Sequence, residues 1–442
     1  MNKSILSVVF ILHLGIVLLS CSEDKKDIDQ YDADVIISWN EKIFELAIEE
    51  DNLLTLKGVR TAAMMHTAMH DALNRIIPEY TCYANNGKQI NADPLAAVNY
   101  AAYEIAISQY PDKNVELESE LNRWLKEIKN KNGIDAGKYL GKESASSIMD
   151  QRSNDHWDTA AEYTWHPMAP GVYAEFRDHS GTPEGFVFGA GWAKAEPFLL
   201  PAQDHFRSPP PPAINSDDYA TAFNEVKDVG AFESNRRTKD QAHMAMWWKD
   251  FVENSHNRLA RKLVKTETLN LWEASRVFAL MNMAIYDAYV SVFDNKFYYN
   301  HWRPYTAIRW ADKDGNPDTE LDVDWNNLHH HTYAFPSYPS AHGCASGAAM
   351  TILSKTLGTG NEYHFTMVTE EVDKAGPLSE KINMEPSTRS FNSFSDAGME
   401  AAMSRLYLGI HFRYDSEQGY NLGKMIGEYA NKNFLTPVNE TE

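Results

Sequence analysis

Cysteine is scarce: three residues in 442, Cys21, Cys82 and Cys344. One bridge between Cys82 and Cys344 is the most an exported form could make, which excludes a disulfide-framed fold. Positive charge is also short, with 41 Lys+Arg against 62 Asp+Glu and a formal net charge of -21. That balance argues against nucleic acid or an anionic membrane surface as the main partner. Any anionic ligand then needs a local positive site. Gly-x-Ser-x-Gly, His-Glu-x-x-His and phosphate-loop patterns are absent. Beyond the first twenty residues no stretch reads as apolar enough to span a bilayer. What remains is a globular composition, 43% hydrophobic and 12% aromatic.

The first residues read as a leader. A short basic start (Lys3) precedes a mostly apolar run from Ile5 to Leu19, ending in Leu18-Leu19-Ser20-Cys21. The run is short for a spanning helix and suits a secretory signal over 1–20. The ending resembles a bacterial lipoprotein signal cut before Cys21, with lipidation of that cysteine. An ordinary signal beside an incidental cysteine has the same hydropathy. Residues 21–35 then read as an acidic tether, of a kind that resembles surface-export signals in some Gram-negative lipoproteins. The expected location is the outer membrane or cell surface, with membrane contact only through the lipid.

From 36 to 436 the dominant period is helical, with apolar residues at three- and four-residue spacing over 46–73, 94–131, 136–149, 240–265 and 268–293. Strand-type alternation is scarce, so the expected fold is all-α. The exception is 156–215, rich in Pro, Gly and aromatics and ending in Pro209-Pro210-Pro211-Pro212. Such a stretch either coats the helices or roofs a site. Residues 63–72 align without gaps on 279–288, matching Met65 with Met281, Ala68 with Ala284, and Asp71-Ala72 with Asp287-Ala288. This weak repeat suggests two related helical bundles.

Three short segments carry chemistry. In the first, Lys296 and Arg303 lie seven apart, a spacing that puts both on nearly one helical face, with Pro304 closing the turn. In the second, Tyr338-Pro339 sets an extended entry and Ser340 is an N-cap for a helix from Ala341 to Leu357, stopped by Gly358. A helix start offers unpaired N–H groups and partial positive charge to an oxyanion. In the third, Ser404-Arg405 precedes His411 and Asp415. The four-residue spacing lets Asp415 take a hydrogen bond from one ring nitrogen and leave the other bare. Gly409 permits a break that turns Arg405 and His411 to one point. Each segment alone also suits a solvated pair, an ordinary helix start or a structural hydrogen bond. His329-His330-His331 invites a metal reading, but adjacent histidines lack a fixed tetrahedral spacing.

Together, Lys-x6-Arg-Pro, Pro-Ser-x-His and Ser-Arg-x5-His-x3-Asp resemble the signature of the superfamily of type 2 phosphatidic acid phosphatases and vanadium-dependent haloperoxidases. The flanking residues 300–309 and 409–415 look like its soluble bacterial haloperoxidase-like branch. The resemblance implies a vanadate cofactor, with its oxygens against Lys296, Arg303, Arg405, Ser340 and the N–H of Ala341. It implies His411 as the nitrogen on vanadium or the nucleophile toward phosphorus, Asp415 as its orienter and His342 as general acid/base. Where this chain has Ala341 the commoner motif has Gly, so a methyl enters the pocket while the N–H donor stays. Asp71 or Asp287 is a candidate to brace the arginines. Phe335, Pro336, Trp302 and His301 are candidate walls. Algal bromide-type members tend to carry His where this chain has Phe335, and the fungal chloride type Phe, which does not by itself set halide choice. The implied reaction is oxidation of halide, bromide or iodide, by hydrogen peroxide to hypohalous acid. Its alternative is hydrolysis of a phosphomonoester through a phosphohistidine at His411.

Overall fold

A computed structural model describes residues 28–84, 87–89, 91–129, 131–174 and 187–438. The expected signal, Cys21 and most of the tether lie outside the described residues. Five helices form a first group: α1 (Asp34–Asp51), α2 (Leu56–Ile76), α3 (Pro94–Gln109), α4 (Asn114–Glu127) and α5 (Ile134–Gln151). Next come α6 (Asp217–Val229), α7 (Lys239–Trp247) and α8 (Val252–Thr266), then the long α9 (Leu271–Tyr299) and the short α10 (Pro304–Arg309). The chain closes with α11 (Ala341–Thr356), α12 (Phe394–Tyr407) and α13 (Arg413–Asn433). Helical periods that run on in sequence are cut where the backbone cannot continue. Asn52 turns left-handed after α1, and Pro111 separates α3 from α4.

The expectation of an all-α chain holds for the architecture and misses two small antiparallel hairpins between α11 and α12. In one, β1 (Glu362–Val368) pairs with β4 (Thr388–Ser393), bringing Phe365 opposite Phe391. In the other, β2 (Val372–Asp373) pairs with β3 (Lys381–Ile382). Phe365 and Met367 are buried on alternate positions of β1, a period-two signal confined to one short segment.

α9 corrects a second expectation. By length and composition it could cross a membrane, but 89% of its apolar window is buried inside the protein. It is the central core helix, packed on α2 and α11. The weak repeat between α2 and α9 has a structural counterpart. His66 on α2 and Asn282 on α9 occupy aligned positions. Asn40 of α1 bonds His66 Nε2 (3.0 Å), and Asn257 of α8 donates to Asn282 (2.9 Å). Asn40 also donates to Asn257 (2.8 Å), joining the two helix pairs through a buried amide ladder. Asp71 accepts from the backbone N–H groups of Tyr83 and Ala84, and its aligned partner Asp287 accepts from those of Phe198, Leu199 and Leu200. The two aspartates therefore pin connecting segments at equivalent places.

α11 and α13 approach closely enough to exclude side chains. A Cβ on Gly423 would lie 1.9 Å from the Cys344 carbonyl oxygen, and one on Gly419 would lie 2.3 Å from that of Ser340. The atoms met are backbone, so rotamer changes cannot relieve the overlap. Gly423→Ala is expected to lower the unfolding free energy by about 1–3 kcal/mol through overpacking, read as a lower urea midpoint. An unchanged midpoint would mean that the two helices do not pack this tightly.

Six histidines held below their ordinary pKa make the fold acid-sensitive. Burial, the first cause in each, holds His66, His70, His256 and His301 down to about 3, and His342 and His411 well below the ordinary value. The unfolded chain takes up protons below about pH 6.5 that the folded chain refuses, so their contribution is lost as pH falls from there toward about 3. Burial raises Glu253 to about 7, Asp287 and Asp415 to about 6, and Asp250 above its ordinary value, which works in the opposite sense. With six imidazoles against four buried carboxyls, the thermal midpoint is expected to fall between pH 7 and 5. A midpoint that rises over that interval would contradict burial of these imidazoles in the neutral form.

Candidate active site

The three motif segments converge, though not by the local geometry their spacing suggests. Lys296 lies in the last turns of α9, which ends at Tyr299 with Asn300 left-handed (φ 49°). Arg303 is the N-cap of α10, with Pro304 in its first turn. The chain reversal at 300–302, not a shared helical face, brings the two cations together. Asp415 likewise shares no helical face with His411: α13 starts at Arg413, and His411 lies just before its N-cap Phe412. Asp415 accepts from the Phe412 N–H (3.0 Å), completing that helix start. The break at Gly409 is present, with φ 83° and no room for a Cβ against the Gly230 carbonyl oxygen.

Lys296 and Arg303 are fully buried. Lys296 Nζ donates to the carbonyls of Pro336 (3.0 Å) and Ser337 (2.8 Å). Arg303 donates to those of Phe335 (3.0 Å) and Ile410 (2.9 Å), and its second terminal nitrogen has no protein partner. Phe335 packs under both cations, with ring centroid distances of 5.1 and 4.7 Å. It forms a wall as expected, and Pro336 lends its carbonyl. Arg405, at the end of α12, donates to Ala245 O (3.3 Å) and Ser404 Oγ (3.1 Å). Ser340 caps α11 by accepting from Gly343 N (3.3 Å), and its own N–H donates to Asp415 O (2.9 Å). The first N–H groups of that helix, Ala341 included, have no carbonyl within the helix to bond. Ala341 and His342 are half-buried.

Hydrogen bonding decides the tautomer of His411. Arg303 can only donate, and one of its terminal nitrogens lies 3.3 Å from His411 Nε2, so Nε2 is the bare acceptor. Nδ1 then carries the proton and donates to Asp415 Oδ2 at 3.0 Å. Ser337, which the motifs do not single out, donates its hydroxyl to the same carboxylate oxygen. Its sequence signal is only its place between two prolines of the motif loop, Pro336 and Pro339.

Electrostatics point to an anion. Burial, then Arg303, hold the Lys296 ammonium well below its ordinary range. Burial brings Arg303 and Arg405 down to about 10. Burial also raises Asp415, opposed by Ser337, Lys296, the Phe412 N–H and Arg303. Lys296 and Arg303 thus act on the Asp415 carboxylate, and with Arg405 they act together on His411. The partnerless Arg303 nitrogen and bare His411 Nε2 fit a multiply charged oxyanion with one nitrogen-accepting centre.

The other candidate residues have partners of their own. Trp302 packs in a second core cluster with Tyr219 and Phe412, and His301 bonds the Tyr414 hydroxyl (2.8 Å). Asp71 and Asp287 bind backbone amides of connecting segments, as described above. No metal-holding group of His, Cys, Asp or Glu occurs among the described residues, the three adjacent histidines included. A surface groove lined by Lys239, Asp240, His243 and Arg389 holds none of the motif residues. The irregular segment does back the site loop. Phe188 N donates to Ala334 O (2.8 Å), the Tyr338 hydroxyl bonds Pro209 O, and Ser208 N reaches Asn295, next to Lys296.

Residues 276–440 match the family model of the VCPO second helical-bundle domain, a stretch that contains every motif residue. This match supports the vanadium haloperoxidase superfamily that the three motifs resemble. It is 22% identical to the vanadium chloroperoxidase of Curvularia inaequalis, over 88% of this chain and 80% of that protein. The solved structure of a bacterial vanadium-dependent iodoperoxidase superposes with a TM-score of 0.72 at 22% identity, over 92% of this chain and 98% of that one. A bacterial vanadium-dependent chloroperoxidase does so with a TM-score of 0.63 at 14% identity, over 85% and 90% of the two chains. The helical fold of this superfamily is therefore the fold of this chain.

Proposed function

We propose that this protein is a vanadate-dependent haloperoxidase that oxidises bromide or iodide with hydrogen peroxide. The observation that carries the reading is the bare, oriented Nε2 of His411 beside three buried cations. Lys296, Arg303 and Arg405 would hold the oxygens of vanadate, together with Ser340 and the Ala341 N–H. His411 Nε2 would hold its vanadium. Bound vanadate supplies a Lewis-acid centre that activates peroxide toward halide without changing its own oxidation state. Asp415 and Ser337 keep the His411 proton on Nδ1, so that Nε2 stays a donor of its lone pair. His342, half-buried, moves the proton. The Ala341 methyl sits beside it in the chain, where its bulk bears on what can approach.

The same bare nitrogen is a nucleophile toward phosphorus, which keeps the phosphatase reading in view. The relatives, named for chloride and iodide oxidation, support the peroxidase. Reconstitution separates the two. The vanadate-free protein is expected to be inactive, to gain bromide or iodide oxidation when vanadate and peroxide are added, and to lose that gain when excess phosphate is present at reconstitution. Aryl phosphate hydrolysis inhibited by vanadate, with no halide oxidation at any pH, would reverse the choice.

A further inference from the structure

His342 lacks, in the motifs, what His411 has in Asp415: a partner that decides which nitrogen carries the proton. The fold supplies a candidate on α8. His256 is fully buried, and its Nε2 has no protein hydrogen-bond partner. His342 Nε2 is also enclosed without one. Both rings stand edge-on to the indole of Trp248, with centroids at 5.9 Å for His256 and 6.4 Å for His342. The buried charge nearest in kind is engaged elsewhere. Glu400 accepts from Trp248 Nε1 (2.9 Å) and from Arg389, and Glu253 accepts from Tyr289 (2.8 Å). Arg258 pairs with Asp250, and Arg405 is bonded to Ala245 and Ser404.

The tautomer of His256 follows from its neighbour. Ser255 Oγ lies 3.4 Å from the Val252 carbonyl and 3.1 Å from His256 Nδ1. If the hydroxyl donates to Val252, its oxygen accepts from Nδ1–H and both bonds are made; the reverse arrangement makes one. His256 Nε2 is then a bare acceptor inside the protein. Leaving such a group unmet is costly, and one buried water can meet two such groups at once.

We propose that His256 is a positioning residue for His342: through one bridging water it holds the His342 proton on Nε2 and leaves Nδ1 bare on the other side of the ring. The water donates to His256 Nε2 and accepts from His342 Nε2–H. His342 then meets its substrate as a proton acceptor with a fixed orientation, while its distal nitrogen is locked into the core. Only the catalytic consequence rests on the proposed function; the tautomer itself does not.

The test is nitrogen-15 NMR of histidine-labelled, vanadate-free full-length protein, which reports tautomers directly. Wild-type His342 is expected to be protonated at Nε2 and bare at Nδ1. His256→Phe removes the acceptor and is expected to mix the two tautomers, lowering turnover of the reconstituted enzyme by about 10–100-fold, as for lost outer-shell partners of active-site histidines, with vanadate affinity unchanged. His256→Gln keeps an acceptor oxygen and is expected to restore both tautomer and turnover, which a role in packing alone would not require. Wild-type His342 protonated at Nδ1, or an unmixed tautomer in a folded His256→Phe, overturns the proposal even if haloperoxidase activity is found. Failure of the activity with the expected tautomer in place would count against the proposed function instead.

Discussion

His411→Ala is expected to abolish tight vanadate binding while leaving the helical circular dichroism spectrum unchanged. The imidazole contributes the bare nitrogen, and its loss removes a bond that no neighbour can replace: the Arg303 guanidinium beside it only donates. The fold should tolerate the change, because His411 lies outside both flanking helices, in the turn between α12 and α13. Asp415→Asn is expected to be milder, with affinity falling by about 10–100-fold. An amide oxygen still accepts from the Phe412 N–H or from His411 Nδ1, but not with the strength of a carboxylate. Titration of the vanadate-free proteins, by calorimetry or vanadium-51 NMR, measures both. Wild-type affinity in His411→Ala would sink the assignment of that nitrogen. A larger loss in Asp415→Asn than in His411→Ala would mean that the carboxylate's hold on the start of α13 matters more than the ring.

His342→Ala is expected to cost turnover, not binding. A missing general acid/base lowers rates by roughly 10²–10⁴-fold, whereas vanadate affinity should move little, since Lys296, Arg303, Arg405 and the start of α11 remain. Burial, then Arg405 and His256, hold His342 well below its ordinary pKa, so the ring is neutral at pH 7 and ready to accept a proton. Acid should therefore suppress the His342-dependent rate only where the ring becomes protonated, below the usual imidazole range. A bound oxyanion adds negative charge nearby and moves that limit upward. Rate against pH in wild type and variant checks both statements. Near-normal turnover in His342→Ala would show that another group moves the proton.

Local rules carried the reading of this chain a long way. The N-cap at Ser340, the stop at Gly358 and the break at Gly409 follow from side-chain chemistry within one turn of backbone, and they stand in the structure. The three motifs named the charged and titratable residues of the site because residue type and order are written in the chain. The same local logic failed where it assumed that spacing means a shared helix. Lys296 with Arg303, and His411 with Asp415, meet across chain reversals whose course depends on packing partners far away in sequence.

Chain order and composition alone were enough to establish a helical protein short of positive charge with one concentrated cationic site. They could not assign Asp71 and Asp287, because an aspartate's partners are whichever N–H groups the fold delivers, and here those include the amides of connecting segments. They could not find Ser337 or His256, since a serine between prolines or a histidine on an amphipathic helix is common. Nor could they say which nitrogen of His411 is bare. That was decided only when folding buried the ring between a guanidinium that must donate and a carboxylate that must accept. In water either tautomer is satisfied by solvent. Inside the protein each nitrogen has fixed neighbours, and the neighbours choose.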